Sequence, residues 1–170
     1  MNEIVQTELK KIFNGRFSTS ESTRANYARG EDTYDPILSK AVVFPETNEE
    51  VSQLLKLCNE HKIPVVPFGT GTSLEGNVVG NDKGITISLE KMNKILTVNV
   101  EDFDCRVQAC VTKEQLNDYL REDGVFFPID PGANAAIGGM ASTSASGTMA
   151  VKYGTTVSYT HLRAHETVSY

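Results

Sequence analysis

The sequence predicts an α+β protein built from two small lobes rather than from one doubly wound sheet. Between residues 41 and 68, an apolar segment, an amphipathic helical pattern and a second apolar segment follow one another, which is typical of a βαβ unit. Between residues 85 and 111, apolar and polar residues alternate in three segments, which predicts half-buried antiparallel strands. A helical pattern after Thr112 completes the second lobe.

The chain begins with a predicted helix over residues 3–14. Its apolar residues recur at helical spacing, and Gly15 is a stop signal. Residues 16–40 are polar and without period, so they are predicted to form an irregular surface segment.

The βαβ unit is predicted from residues 41–68. Residues 41–44 form a short apolar strand, and Thr47 with Glu50 has the spacing of a capping box at the start of a helix. The predicted apolar side of this helix carries Val51, Leu54, Leu55 and Cys58. Residues 63–68 predict a buried second strand, and the helical crossover implies that the two strands are parallel.

The second lobe is predicted from alternation and from a second capping box. The alternating apolar positions are Ile85, Ile87 and Leu89, then Leu96, Val98 and Val100, then Val107, Ala109 and Val111. Thr112 and Gln115 have capping-box spacing before a helix that carries Leu116, Tyr119 and Leu120, and Gly124 ends it.

Bulk composition excludes several classes of function. The 170 residues contain 39% hydrophobic and 22% charged residues with a net charge of −6, as in a soluble globular protein. Nucleic-acid binding is not expected because no basic stripe is present. No apolar run is long enough to span a bilayer and the N-terminus lacks a signal-peptide pattern, so we predict a cytoplasmic protein, with peripheral membrane contact left open.

The cysteines and histidines do not predict a metal site. The three cysteines include no C-x-x-C pair, and Cys58 is interpreted as a small core residue. His161 and His165 have i, i+4 spacing, but they lack the H-E-x-x-H pattern of zinc proteases.

A glycine-rich loop follows the second strand of the βαβ unit, over residues 69–77. Gly69 and Gly71 permit positive φ and close approach to a ligand, and free amides in such a turn bind anions. The hydroxyls of Thr70, Thr72 and Ser73 add donors for phosphate oxygens. The loop lacks the lysine of a Walker loop and the third glycine of the dinucleotide fingerprint, so the residues alone also allow an ordinary connection.

A second segment, residues 127–147, consists almost entirely of small residues and carries no charge after Asp130. Such residues allow a backbone to approach a flat or bulky ligand, and Gly138-Gly139 could open a short helix towards an anion. Tight packing between elements is the alternative interpretation, although it does not explain the many hydroxyls.

Four ordered blocks carry a resemblance to a known family. They are VVFPETNEEV at 42–51, IPVVPFGTGTSLEGN at 63–77, KMNKILTVNVED at 91–102 and FFPIDPGANAAIGGMASTSASGTMAVKYG at 126–154. The chain resembles the FAD-binding domain of PCMH-type flavoproteins of the vanillyl-alcohol oxidase superfamily, and within it the D-lactate dehydrogenase and glycolate oxidase D-subunit group. The resemblance covers roughly residues 20–156.

The resemblance implies which residues bind FAD. The diphosphate would be held by Gly69, Thr70, Gly71, Thr72, Ser73, Gly76 and Asn77. A second wall, near the flavin and ribityl chain, would contain Pro131, Gly132, Ile137, Gly138, Gly139 and Ser142, and would continue through Gly147, Tyr153 and Gly154. Thr72 stands where some branches have a histidine bonded to the flavin, so FAD is expected to be non-covalent.

The implied activity is oxidation of a small 2-hydroxy acid by hydride transfer to the flavin, with a cytochrome, quinone or flavoprotein as electron acceptor. The catalytic base and any metal ligands would lie downstream, so no catalytic residue is assigned. A non-catalytic nucleotide-binding module and another flavoenzyme of the superfamily stay open as alternatives.

The resemblance also implies domain boundaries. Residues 1–19 would be a helix and lead-in, and residues 20–156 an incomplete FAD-binding domain. Residues 157–170 resemble translated adapter sequence and are predicted to be a non-native tail. The 170-residue product is therefore expected to fold poorly and to show no turnover.

Overall fold

The computed structural model describes residues 3–156, and the chain divides into two compact units, Met1–Met92 and Asn93–Tyr170. We refer to them as the N-terminal and C-terminal units. The N-terminal unit contains α1 (Glu3–Phe13), β1 (Phe17–Ser18), α2 (Glu21–Asn26), β2 (Ala41–Val43), α3 (Asn48–Glu60), β3 (Val65–Phe68) and β4 (Ile85–Ser88). The C-terminal unit contains β5 (Ile95–Asn99), β6 (Asp104–Val107), α4 (Lys113–Leu120), a 3-10 turn (Arg121–Asp123), α5 (Ile137–Ser142) and α6 (Ala150–Tyr153). This mixed α+β architecture in two units confirms the predicted fold class.

The N-terminal unit is built on a four-stranded sheet in the order β1-β2-β4-β3. Strands β2 and β3 both pair in parallel with β4, with Ala41 and Val65 each opposite Ile85. The predicted parallel relation of β2 and β3 is therefore confirmed, although β4 lies between them. Strand β1 pairs antiparallel with β2.

One face of this sheet is covered by α1 and α3. Val5, Leu9 and Phe13 of α1 are buried in the same core cluster as the inward residues of β2 and β4. From α3, the buried residues are Leu54, Leu57 and Cys58. The prediction of Leu55 on this side is wrong: the buried stripe runs through Leu57, and Leu55 is 46% exposed.

Thr47 is the N-cap of α3, as its capping-box spacing with Glu50 predicts. The Thr47 hydroxyl accepts a hydrogen bond from the amide of Glu50 at 3.2 Å, as an N-cap does. The carboxylate of Glu50 accepts hydrogen bonds from the amide of Glu46 and from the Arg16 guanidinium, and a weaker one from the amide of Thr47.

Strand β4 corrects the sequence interpretation of residues 85–89. The alternation of Ile85, Thr86, Ile87 and Ser88 predicted a half-buried antiparallel strand, whereas β4 is a parallel, central strand whose residues are all buried. The polar residue Thr86 tolerates burial because its Oγ1 lies 2.7 Å from the Oγ of Ser39. Strand β3, predicted to be buried, lies instead at the sheet edge.

Residues 16–40 are not wholly irregular, which is a second correction. Strand β1 adds to the sheet edge, and α2 begins where the Ser20 hydroxyl accepts a hydrogen bond from the amide of Thr23. Both elements are too short to leave a periodic pattern in the sequence.

The C-terminal unit packs α4 and α5 around a second core, with the antiparallel pair of β5 and β6 against it. Ile95 and Val98 contact this core, while Leu96 is 52% exposed, because a register shift falls between Ile95 and Thr97. The prediction of a third strand through Val107, Ala109 and Val111 is wrong in part. Strand β6 ends at Val107, so Ala109 and Val111 lie outside it.

Helix α4 begins at the predicted N-cap, and the predicted glycine stop follows it, while the Gln115 side chain donates to the carbonyl oxygen of Asn93 at 2.8 Å. The Thr112 hydroxyl accepts from the amide of Gln115 at 3.2 Å, and Gly124 adopts a φ of +72° after the 3-10 turn. Leu116 and Leu120 are buried, whereas Tyr119 is exposed. Within residues 3–156, no helix combines the length and the apolar character that crossing a bilayer requires.

Candidate cofactor-binding site

The first glycine loop joins two neighbouring parallel strands without a helix. Strand β3 ends at Phe68 and its parallel partner β4 begins at Ile85, and residues 69–84 between them contain no helix or strand. Parallel neighbours are usually connected through a helix, and long irregular loops inside compact domains are usually functional. Because it follows the last residue of β3, the loop starts at the carboxyl end of the sheet. Proteins of the α/β class commonly bind ligands at this end.

The backbone amides of residues 69–77, the glycine-rich part of this loop, are free. Among residues 3–156, none accepts a hydrogen bond from an amide between Gly69 and Asn77. Buried amides in folded proteins are almost always paired, so a run of free, partly exposed amides is suited to an anion.

Two glycines give the loop its shape. Gly71 has a φ of +76° and Gly76 a φ of +69°, in the left-handed region that other residues avoid. A Cβ on Gly71 would lie 2.9 Å from the Phe68 ring, and one on Gly76 would lie 2.8 Å from the Tyr34 ring. These two positions have no room for a side chain.

Hydroxyl and amide side chains line the same loop. Thr70 Oγ1 lies 3.4 Å from Thr72 Oγ1, and Asn77 Nδ2 donates to Ser73 Oγ at 3.0 Å. Thr70 and Asn77 are exposed, and Thr72 and Ser73 are half-buried. Neutral donors of this kind, together with free amides, fit the oxygens of a diphosphate.

An aromatic group supports the loop from the end of the sheet. The ring of Tyr27 packs edge-on against Phe68 at 5.1 Å and against Phe44 at 5.6 Å between centroids. Its hydroxyl donates to Glu90 at 2.6 Å. Burial, and then the hydrogen bond to Glu90, raise the pKa of Tyr27 to about 12, so it remains a neutral donor at physiological pH.

In the small-residue segment of the C-terminal unit, some backbone amides are already hydrogen-bonded and others are free. The amides of Ile137 and Gly138, at the start of α5, already donate to the carbonyl oxygens of Val111 and Ala109 at 2.8 and 2.9 Å. The amide of Gly139 donates to no acceptor within the described residues, and Gly139 is exposed. The sequence alone did not predict that the amide of Gly138 is hydrogen-bonded whereas that of Gly139 is free.

At two positions of this segment, close packing alone explains why the residue is glycine. A Cβ on Gly138 would lie 2.8 Å from the carbonyl oxygen of Ala109, and one on Gly147 would lie 1.5 Å from that of Asp130. Gly132 and Gly139 differ, because a Cβ there would meet nothing within 4 Å. Gly132 needs glycine for its φ of +89°.

Asp130 is a turn residue. Its carboxylate accepts hydrogen bonds from the amide of Gly132 at 3.3 Å and from Lys113 Nζ at 2.8 Å. The Lys113 ammonium, followed by the Gly132 amide, lowers the pKa of Asp130 below its ordinary value.

The remaining predicted site residues lie on α5, α6 and the turn before them. Ser142 is exposed and donates to the carbonyl oxygen of Gly138 at 2.8 Å. Tyr153 packs edge-on against Phe126 at 5.6 Å, and Gly154 ends α6 with a φ of +83°. The predicted diphosphate residues thus belong to the N-terminal unit, and those of the second wall belong to the C-terminal unit.

Sequence reasoning missed the segment Ala28–Tyr34, which contacts the first glycine loop directly. The amide of Glu31 donates to the carbonyl oxygen of Gly71 at 2.9 Å, and a Cβ on Gly30 would lie 2.3 Å from that oxygen. The Asp-x-Tyr sequence from Asp32 to Tyr34 is the one local signal, since aspartate favours such turns.

Metal ligands are not grouped in the described part of the chain. No cluster of three or more His, Cys, Asp or Glu side chains within residues 3–156 is placed to hold a metal ion. His161 and His165, with the predicted tail 157–170, lie outside the described residues.

Comparison with known proteins identifies the family. Residues 39–164 match the family described as "FAD binding domain". The chain belongs to this family of FAD-binding domains. Its cofactor is FAD, whose diphosphate fits the free amides and hydroxyls of residues 69–77.

Curated relatives of this FAD-binding domain are named as hydroxy-acid enzymes. It is 47% identical over 81% of its length to "Probable D-lactate dehydrogenase, mitochondrial" of Danio rerio and 40% identical over 88% to "D-lactate dehydrogenase [cytochrome], mitochondrial" of Arabidopsis thaliana. It is 30% identical over 84% to "Glycolate oxidase subunit GlcD" of Bacillus subtilis. The chain spans 28%, 27% and 31% of these three relatives.

Solved structures share the fold at low identity. An alkyldihydroxyacetonephosphate synthase superposes with a TM-score of 0.83 at 22% identity, covering 91% of this chain and 31% of that one. A p-cresol methylhydroxylase superposes with a TM-score of 0.68 at 22% identity, covering 85% and 30%. The FAD-binding domain therefore has the PCMH-type fold that its four sequence blocks predict.

Proposed function

We propose that this FAD-binding domain is part of a longer oxidoreductase that oxidises a small 2-hydroxy acid of the D-lactate or glycolate type. The observation that carries the proposal is the loop at residues 69–77, whose free amides fit a diphosphate, in a chain 47% identical to a D-lactate dehydrogenase. We call the longer protein the parent.

In the parent, residues 69–77 hold the diphosphate, and the second wall lies near the flavin and ribityl chain. That wall comprises Pro131, Gly132, Ile137, Gly138, Gly139, Ser142, Gly147, Tyr153 and Gly154. The exposed Gly139, with its free amide, is the position of the wall best placed for close approach. Bound FAD supplies a two-electron acceptor for the hydride at C2 of the hydroxy acid. A base outside the assigned residues removes the hydroxyl proton, which gives the 2-oxo acid.

FAD is held without a covalent bond. The hydroxyl of Thr72 stands where some relatives carry a flavin-bonded histidine, and a threonine side chain cannot form that bond. Acid precipitation of the parent should therefore release all the flavin into the supernatant.

The electron acceptor and the compartment stay predictions. A cytochrome acceptor is supported by the printed name of the Arabidopsis relative, and a quinone or flavoprotein would serve the same chemistry. The sequence favours the cytoplasm with peripheral membrane contact open, whereas the two eukaryotic relatives above are named as mitochondrial.

We also propose the boundaries of the domain. Residues 1–19 form the lead-in, residues 20–156 the FAD-binding domain, and residues 157–170 do not belong to it. The family match runs to residue 164, past the proposed boundary. Reading the source gene across codon 156 decides whether another strand of the domain follows.

The test begins with the purified parent. It should show flavin absorbance and reduce a dye with D-lactate or glycolate but not with L-lactate, while the 170-residue chain alone should show no turnover. A colourless parent that cannot be reconstituted with FAD would overturn the proposal. A parent that binds ADP but neither flavin nor any hydroxy acid would indicate the non-catalytic nucleotide-binding module.

A matched pair of variants tests the loop itself. Thr70→Val removes an exposed loop hydroxyl, and Thr97→Val makes the same change at an exposed position of β5 in the C-terminal unit. Because a neutral hydrogen bond contributes about 1 kcal/mol, we expect the dissociation constant of FAD to rise roughly fivefold for Thr70→Val. Thr97→Val should leave it unchanged, and equal effects in an FAD titration would contradict the assignment of the loop.

A further inference from the structure

The segment Ala28–Tyr34 contacts both glycines that shape the diphosphate loop. At Gly71, the carbonyl oxygen accepts a hydrogen bond from the amide of Glu31 at 2.9 Å. At Gly76, the ring of Tyr34 fills the space in which a side chain would lie. The two left-handed turns of the loop are thus held by one short segment.

Asp32 determines the shape of that segment. Its side chain is buried, with 7% of the residue exposed, and its carboxylate accepts hydrogen bonds from the amides of Gly30 at 3.1 Å and Tyr34 at 3.0 Å. These two bonds close a turn around Asp32, which directs the Glu31 amide towards Gly71 and the Tyr34 ring towards Gly76. A buried carboxylate with two amide donors is costly to replace, because removing it leaves both donors unpaired.

The contact is close and extends past the loop. A Cβ on Gly30 would lie 2.3 Å from the Gly71 carbonyl oxygen, so only glycine fits there. The carbonyl oxygen of Ala28 accepts from the amide of Gly80 at 2.8 Å, just beyond the loop. The hydrogen bond from this segment to the loop is accepted by the carbonyl oxygen of Gly71, so the amides of residues 69–77 stay free.

We propose that Asp32 is a positioning residue for the cofactor: through the turn at Gly30–Tyr34 it holds residues 69–77 with their amides directed to the diphosphate of FAD. Tyr34 and Gly30 act with it. This inference rests on the proposed function, because it needs a diphosphate on that loop. It assigns to residues 28–34 a role in positioning the cofactor.

The experiment compares ADP with adenosine on the parent protein. FAD affinity is measured by the change in flavin fluorescence, and ADP and adenosine are measured as competitors of FAD. Adenosine lacks the diphosphate, so the ratio of the two affinities reports on the loop, whereas a general loss of stability lowers both.

The variants are Asp32→Ala, Asp32→Asn and Tyr34→Ala, with Asp35→Ala as the matched control. Asp35 directly follows the segment, is exposed, and makes no hydrogen bond within residues 3–156. Loss of two charge-assisted hydrogen bonds should lower ADP affinity about tenfold or more in Asp32→Ala, with adenosine affinity changed less than twofold. Asp32→Asn retains one acceptor and should fall between wild type and Asp32→Ala.

Each outcome decides the inference. An unchanged ADP-to-adenosine ratio in the Asp32 variants, even with a lower melting temperature, would overturn it, because Asp32 would then be merely structural. If Asp32→Ala does not fold, Tyr34→Ala replaces it, since Tyr34 is 54% exposed and its loss removes only the ring against Gly76. A wild-type parent that binds neither FAD nor ADP would instead overturn the proposed function.

Discussion

Gly138 and Gly139 are neighbours in α5, yet a side chain would meet different surroundings at each. At Gly138 the added Cβ lies 2.8 Å from the carbonyl oxygen of Ala109, whereas at Gly139 it meets nothing within 4 Å. Glycine costs about 1 kcal/mol in a helix interior relative to alanine. The fold therefore explains why residue 138 is glycine, because a side chain would not fit. It does not explain why residue 139 is glycine.

Gly139→Ala should have opposite effects on stability and on FAD binding. Without FAD, Gly139→Ala should raise the unfolding free energy of the parent by up to about 1 kcal/mol, because alanine favours the helix. With FAD, the same variant should bind more weakly, because the new methyl group occupies the space that we assign to the cofactor.

Gly138→Ala is the matched variant and should do the reverse without FAD. Its Cβ displaces the backbone at Ala109, so the melting temperature of the cofactor-free protein should fall. Denaturation with and without FAD measures both effects. If Gly139→Ala binds FAD as tightly as wild type, Gly139 does not belong to the second wall.

At the scale of elements, one ion pair joins the lead-in of β1 to the start of α3. Arg16 donates to the carboxylate of Glu50 through both of its terminal nitrogens and to the carbonyl oxygen of Phe44 at 2.9 Å. Both side chains are mostly buried, with exposures of 23% and 18%. The hydrogen bond from Arg16 is the main cause that lowers the pKa of Glu50.

A pH-dependent loss of stability follows for Glu50→Gln. Because the folded state lowers the pKa of Glu50 below its ordinary value of 4.5, the stabilisation is present above pH 4.5 and is lost as the pH falls. At pH 7 the variant should lose about 1 to 3 kcal/mol of unfolding free energy, and the difference from wild type should shrink below about pH 4.5.

Urea denaturation between pH 3 and pH 7 measures this difference. Glu49→Gln is the control, because Glu49 lies in the same first turn of α3 but is exposed. A Glu50→Gln effect that is the same at pH 3 and pH 7 would show that the ion pair with Arg16 contributes nothing.

At the scale of the whole molecule, residues 3–156 form two hydrophobic cores. Leu54 is fully buried in the core of the N-terminal unit, and Leu116 is buried in that of the C-terminal unit. Each core draws its residues from its own unit. Stability is therefore expected to vary between the two units.

Paired core variants test this expectation in the parent protein without FAD. Leu54→Ala and Leu116→Ala should each cost about 2 to 5 kcal/mol in the unit that contains the substitution. Amide hydrogen exchange should show the larger loss of protection in β2 and β4 for Leu54→Ala, and in α4 for Leu116→Ala. Equal loss in both units from either variant would show that the whole chain unfolds as one cooperative body.

The sequence by itself determined the features that depend on a few neighbouring residues. The N-caps at Thr47 and Thr112, the glycine stop at Gly124 and the helix at Glu3–Phe13 all follow from local hydrogen bonding and apolar period, and the structure confirms each. The four ordered blocks also predicted the family and its cofactor, because each block is a run of neighbouring residues whose order can be read in the chain.

Tertiary structure decided what depends on residues far apart in the chain. Strand β4 has the alternation of a half-exposed strand, and it is buried because β2 and β3 pair on both its edges and Ser39 satisfies Thr86. The roles of Asp32 and Gly30 likewise depend on a distant contact, because they become apparent only when the fold brings Gly71 against this segment. The physical reason is that strand pairing, burial and close backbone approach are set by partners dozens of residues away, whereas propensity and period report only on the nearest turn of the chain.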